Sequence, residues 1–173
     1  MIGKSLTVAA LLSLNLVSAG PIVKRSVLTD LQTVYSEVQS LDSDITSWNG
    51  QLLTALPLLT DVDTLETDIK TATTDTNNSA AFGDADSASI ASETQSLSTL
   101  IVTTLDDLVA QASKVAAVGL TSTVESSLED LKTLSDGLIS ALESKIEASY
   151  LPTATSIAAA IDSAFATAIA AYA

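Results

Sequence analysis

Apolar residues recur at spacings of three and four along most of this chain. Leu31, Val34, Val38, Leu41, Ile45 and Trp48 fall on one stripe of a helix, with Thr29 and Gln32 forming a capping box at its start and Asn49-Gly50 a stop. A second stripe holds Leu52, Leu56, Leu59, Val62, Leu65 and Ile69. Pro57 lies inside it, so the regular helix is expected to begin near Pro57, after a kink or an irregular first turn. From Thr71 to Ala88 the texture turns to Thr, Asp, Asn and Ser with Gly83 near the middle, which reads as a loop. The third stripe, Ile90, Thr94, Leu97, Ile101, Leu105, Leu108, Ala112 and Val115, runs to Gly119, a left-handed cap position. A capping box at Ser122-Thr123-Val124-Glu125 opens the fourth, with Val124, Leu128, Leu131, Leu138, Leu142 and Ile146, and Tyr150-Leu151-Pro152 breaks it. The last stripe is Ile157, Ile161, Phe165, Ile169 and Tyr172. Its segment is so rich in Ala that it is apolar on most sides and is expected in the middle of a bundle. No alternation of period two persists. Short connections at Gly50, Gly119 and Pro152 favour antiparallel neighbours, and the fold class is all-α, an up-and-down bundle of about five helices.

The N-terminus changes the picture of where the protein works. Lys4, an uncharged run from Ser5 to Val17 and the small-residue pattern Val17-Ser18-Ala19 have the order of a secretory signal peptide, residues 1–19. Residues 20–25 form a short pro-segment ending in the dibasic site Lys24-Arg25, and residues 26–173 form a single domain. Removal of the leader and pro-segment takes away Lys4, Lys24 and Arg25. Lys70, Lys114, Lys132 and Lys145 then face 21 acidic residues, four against 21, a net charge of −17. Such a surface favours solubility and makes nucleic acid and anionic headgroups poor partners. Asp162 and the helical spacing in the last segment argue for a bundle helix and a freely secreted product rather than a lipid or transmembrane anchor.

The chain has no Cys, so no disulfide supports it. Aromatic residues make up only 3%, leaving Ala, Leu, Ile and Val to fill the interior. Such a core either packs tightly or leaves a dry void that accepts apolar guests.

Catalytic chemistry finds little to use. Without His or Cys there is no Ser-His-Asp or Cys-His arrangement and no usual zinc site, and no Gly-x-Ser-x-Gly elbow is present. The protein reads as non-enzymatic, with no catalytic residue, no metal and no cofactor. The pairs Asp42/Asp44, Asp61/Asp63 and Asp84/Asp86 lack the Gly and Glu that a calcium loop starting from Asp61 or Asp84 needs. Asp61, Asp63, Asp84 and Asp86 are instead expected in N-terminal helical turns, stabilised by the helix dipole. Asn77-Asn78-Ser79 is an N-glycosylation sequon at Asn77, in the expected loop.

The secretory leader, Lys24-Arg25, a first helix ending Trp48-Asn49-Gly50, the stretch Ile69-Lys70-Thr71-Ala72-Thr73-Thr74-Asp75 and the terminal Ile161-Asp162-Ser163-Ala164-Phe165 resemble the fungal hydrophobic surface-binding protein family, which includes the antigenic cell wall galactomannoproteins. The resemblance spans the mature chain. It implies a secreted or cell-wall-associated helical bundle. Galactomannoprotein members hold fatty acids, including arachidonic acid, between their helices and act as virulence factors. Other members adsorb to hydrophobic solid surfaces and recruit secreted polyester hydrolases, which is the alternative function. No Ser/Thr/Pro-rich tail or anchor signal like that of wall-anchored relatives is read in these residues, so covalent wall attachment is not expected. Together with the aromatic-poor core, the resemblance points to fatty-acid binding in the bundle interior, with Leu31, Val38, Leu41, Leu97, Ile101, Leu105, Leu131, Leu138, Ile161 and Phe165 as the apolar wall. Thr104 and Ser135 lie near the stripes and either receive the ligand's carboxyl group or bond to their own helix backbone. A bulky residue at Ala164 should overfill the void.

Overall fold

The computed structural model describes the backbone from Gly20 and the side chains from Val27 onward. The expected signal peptide, residues 1–19, lies outside the described residues, as do the side chains of the pro-segment. Six helices follow one another: α1 (Gly20–Ser47), α2 (Leu56–Asn78), α3 (Asp84–Ala110), α4 (Ala112–Ala117), α5 (Thr121–Glu143) and α6 (Leu151–Tyr172), with 3-10 turns at Leu52–Ala55 and Ala148–Tyr150. Five are long, and among the described residues there is no strand.

Several boundaries follow from local chemistry. The turn after α1 needs the left-handed conformation that Gly50 adopts at φ 80°, and Gly119 does the same at φ 75° between α4 and α5. Pro57 sits in the first turn of α2, where its missing N–H costs nothing, behind the irregular turn 52–55.

Other expectations are corrected. α1 is already helical from Gly20, so Thr29 and Gln32 do not start it. No side-chain cap is present at Leu120, which precedes α5, so the Ser122–Glu125 box is not formed. The loop expected at 71–88 shrinks to 79–83. The reason is that each threonine answers its own backbone: Thr71, Thr73, Thr74 and Thr76 donate to the carbonyls of Thr67, Ile69, Lys70 and Ala72 at 2.7–3.0 Å. Ile69, Ala72 and Thr76 meanwhile continue the buried stripe. The third stripe is interrupted at Gln111, which ends α3 and begins α4. Asp84 and Asp86 do occupy the first turn of α3, but α2 has no acid in its first turn, and Asp61 and Asp63 lie further along it.

The long helices close into a ring in the order α1, α2, α5, α6, α3, with each packed against two neighbours. α6 is therefore one wall of the ring, not its central helix, and only Ile157, Ile161, Phe165, Ala168 and Tyr172 of it are buried. Its many alanines are apolar yet too small to demand burial, which is why it reads as more hydrophobic than it packs. The Gly50 and 144–150 connections join ring neighbours, whereas the passage from α3 through α4 to α5 spans the width of α6. Like ends meet between α3 and α6 and between α2 and α5. Tyr172 Oη donates to the Leu108 carbonyl (2.5 Å) near the ends of α6 and α3, and Tyr150 Oη to Asp84 Oδ1 (3.2 Å) near their starts. Lys145 Nζ, just past α5, donates to the carbonyls of Asn77 and Ser79 at the end of α2 (3.1 and 2.9 Å).

Candidate functional site: an uncharged axial channel

A ring of five helices with nothing on its axis leaves space there. A middle cavity of ≈ 70 Å³ is bounded by α1, α2, α3, α5 and α6. An upper one of ≈ 100 Å³ lies towards the Gly50 turn and α4, and a lower pocket of ≈ 20 Å³ towards the start of α6. Each larger cavity has room for several water-sized molecules, one of which needs roughly 10–15 Å³. The middle and upper cavities share Leu41, Thr104, Leu105 and Leu131 as wall, and the middle and lower share Thr94, Ile139 and Leu142. The three follow one another along the axis of the ring, each sharing wall residues with the next.

All ten residues of the expected apolar wall line the middle cavity: Leu31, Val38 and Leu41 from α1, Leu97, Ile101 and Leu105 from α3, Leu131 and Leu138 from α5, Ile161 and Phe165 from α6. Thr104 and Ser135 line it too. The stripes converge because each helix turns its three-four face to the axis. Left out of the expected wall were Leu65 and Ile69 of α2, which its stripe already contained, and the rest of the upper cavity beyond Leu41, Leu105 and Leu131, lined by Trp48, Leu58, Leu59, Leu108, Gln111, Val115, Leu120 and Val124 among others. Ala164 is half-buried against the core but does not line the channel, so it is not the position at which to fill it.

No charged side chain lines any of the three cavities. Their few polar groups therefore stand out. Thr94 donates to the Ile90 carbonyl at 2.7 Å, as most helical threonines here do. Thr104 does not: its residue is 6% exposed, and its Oγ1 is buried without a partner. Gln111 Oε1, in the upper cavity, is likewise buried and unpartnered. A buried hydroxyl without a partner costs roughly 1–3 kcal/mol, so Thr104 is a standing defect that a polar guest would repair. Ser135 is 7% exposed on the facing helix α5.

The acids lie away from the channel. Asp61 on α2 meets Asp44 on α1, and its carboxyl is held above the ordinary carboxylate range, first by burial, then by its hydrogen bond to Asp44 and the charges of Asp44 and Glu37. Among the described residues, no group of three or more acids could hold a metal ion. Asn77 is exposed in the last turn of α2.

A helical ring around a row of uncharged cavities is a container for apolar molecules. The chain belongs to the hydrophobic surface binding protein A family, which it matches over residues 25–144. It is similar throughout to AFMP4P, solved in complex with palmitic acid, with 34% identity and a TM-score of 0.85 over 87% of this chain and 99% of that one. The same fold occurs in ligand binding domain 1 of the Penicillium marneffei MP1 protein, complexed with arachidonic acids (18% identity, TM-score 0.80, 87% of this chain and 97% of that one). It occurs again in domain 2 of that protein, complexed with multiple arachidonic acids (18%, 0.79, 91% and 98%). No curated protein matches the sequence.

Proposed function

We propose that the protein is a secreted or wall-associated, non-enzymatic fatty-acid carrier that takes the acyl chain into the axial channel. The observation that carries this reading is the unpartnered Thr104 hydroxyl facing an otherwise uncharged void. The acyl chain lies along Leu31, Leu97, Leu105, Leu138 and Phe165. An ionised carboxylate would be costly there, so the head group binds as the neutral acid. Thr104 Oγ1–H donates to its carbonyl oxygen, and its O–H donates to Ser135 Oγ. The 34% identical AFMP4P was crystallised with palmitic acid, which supports the ligand class.

The test is calorimetric titration of delipidated protein with palmitic and arachidonic acids, alongside native mass spectrometry of protein made in a lipid-containing host. Saturable binding and co-purified lipid are expected. Their joint absence would overturn the reading.

Adsorption to hydrophobic solids is the second reading, favoured by the family and by Leu52, Leu53 and Leu56, which are 52%, 80% and 57% exposed. A quartz microbalance carrying a polyester film measures it. Recruitment of a secreted polyester hydrolase would appear as a second mass increase when the enzyme follows. Secretion, a role in virulence and a glycan on Asn77 belong to the same proposal. Replacing Asn77 by Gln in a fungal host should remove any mass shift that glycosidase treatment removes.

A further inference from the structure

The exposed leucines at 52, 53 and 56 need an occupant, and the structure narrows which. They sit in and just after the irregular turn between α1 and α2. From Asn49 to Thr60 that segment has no charged residue, in a chain that carries 21 acids. Its inner side supplies Ala55, Leu58 and Leu59 to the wall of the upper cavity, so one short segment shows leucine to solvent and leucine to the channel. It is held mainly by its own bonds: Trp48 Nε1 donates to the Gln51 carbonyl (3.1 Å), and the Gln51 amide and the Thr54 hydroxyl donate to Asn49 Oδ1 (3.0 and 2.7 Å). Among the described lysines, Lys114 is the one at this end. Its side chain runs beneath Gly50, and its Nζ reaches the Trp48 carbonyl at 3.5 Å.

We infer that this leucine turn is the face by which the protein docks on an electrically neutral lipid surface and through which the acyl chain passes into the upper cavity. The inference rests on the carrier reading. An uncharged lipid phase is the partner that fits, because the leucines gain by leaving water while the chain's formal charge of −14 repels anionic headgroups. With the turn on the lipid, Leu58 and Leu59 continue the apolar path inward to Leu108 and Leu128, and Lys114, beside Gly50, puts a positive charge at the edge of the same turn.

The experiment compares wild type, Leu53→Asn, the triple variant Leu52→Asn/Leu53→Asn/Leu56→Asn, and Leu151→Asn at the opposite end, where Leu151 is 37% exposed. Three properties are measured: co-flotation with phosphatidylcholine vesicles, transfer rate of a fluorescent fatty acid from those vesicles, and equilibrium affinity for that fatty acid in solution. Full burial of one Leu corresponds to roughly tenfold or more in partitioning, so Leu53→Asn should cut flotation and transfer about tenfold and the triple variant further. Solution affinity and melting temperature should hold, since these side chains are outside the core, and Leu151→Asn should behave as wild type. Vesicles rich in phosphatidylserine should bind wild type less well. Normal transfer by the single and triple variants, with solution affinity intact, overturns the docking face and leaves the carrier reading standing. Failure of wild type to bind fatty acid in solution removes the carrier reading itself. A wild-type dimer that the triple variant converts to monomer without slowing transfer would assign the leucines to a second copy of the chain and also overturn the proposal.

Discussion

Thr104→Val separates a structural defect from a ligand contact, because the two readings give different pairs of signs. Valine keeps the shape of threonine and replaces an unpartnered hydroxyl by a methyl group at a site 6% exposed. Removing that defect should stabilise the empty protein by about 1–3 kcal/mol. For a chain of this size each kcal/mol moves the melting temperature by about 2–4 °C. The loaded protein should respond in the opposite sense. If Thr104 donates to the carboxyl group, valine leaves a buried carbonyl oxygen unpaired, and a penalty of about 1–3 kcal/mol weakens binding roughly 5- to 150-fold. Scanning calorimetry of delipidated protein reads the first effect and fatty-acid titration the second. Raised stability with unchanged affinity would refute the carboxyl assignment, and lowered stability of the empty protein would show that Thr104 has a partner after all.

Leu97→Phe adds volume to the middle cavity and should lower fatty-acid affinity about tenfold, given overpacking costs of about 1–3 kcal/mol, whereas Ala164→Phe, outside the channel, should change it little; both are read by titration. Tyr172→Phe removes the bond to the Leu108 carbonyl and should cost about 1 kcal/mol by denaturant melts. Burial pushes the Tyr172 hydroxyl up to about 12, so the fold holds the proton longer than the unfolded chain does. Its contribution should be complete below pH 10 and lost from there to about 12, and a variant with Phe at 172 should lack that part of the alkaline decline. Asp61 is also held above its ordinary value, so the fold favours its protonated form and stability should fall as pH rises above about 3.8. Asp61→Asn should therefore melt higher than wild type at pH 7 and show a smaller difference near pH 3.

The inner faces were legible because helical periodicity depends only on which side chains avoid water. Every wall position expected on α1, α3, α5 and α6 lines the middle cavity. Periodicity says nothing about which stripe meets which, so the ring order and the peripheral place of α6 were out of reach. Leu52 and Leu56 show the same limit. They extend the α2 stripe in register, but the chain there is a 3-10 turn and a first helical turn outside the core, and they face solvent. The threonines of 71–76 misled in the other direction, since composition alone does not reveal that their hydroxyls close back on the helix. The unpartnered state of Thr104 had no sequence signal at all. It is a threonine like Thr103 beside it, which bonds the Thr99 carbonyl at 3.1 Å.

The ring order also bears on how the molecule is made. Residues 151–172 form the wall that closes the gap between α3 and α5, and without them the other four long helices describe an open trough with Leu31, Leu41, Leu65 and Ile69 along its floor. The enclosed space comes into being only when that last helix docks, late in any order of folding that follows the chain from its N-terminus. Until then the trough is a sticky intermediate. The acidic charge carried by α1, α2, α3 and α5 then acts as an insulator between nascent molecules, keeping neighbours apart during the interval in which the interior is still exposed.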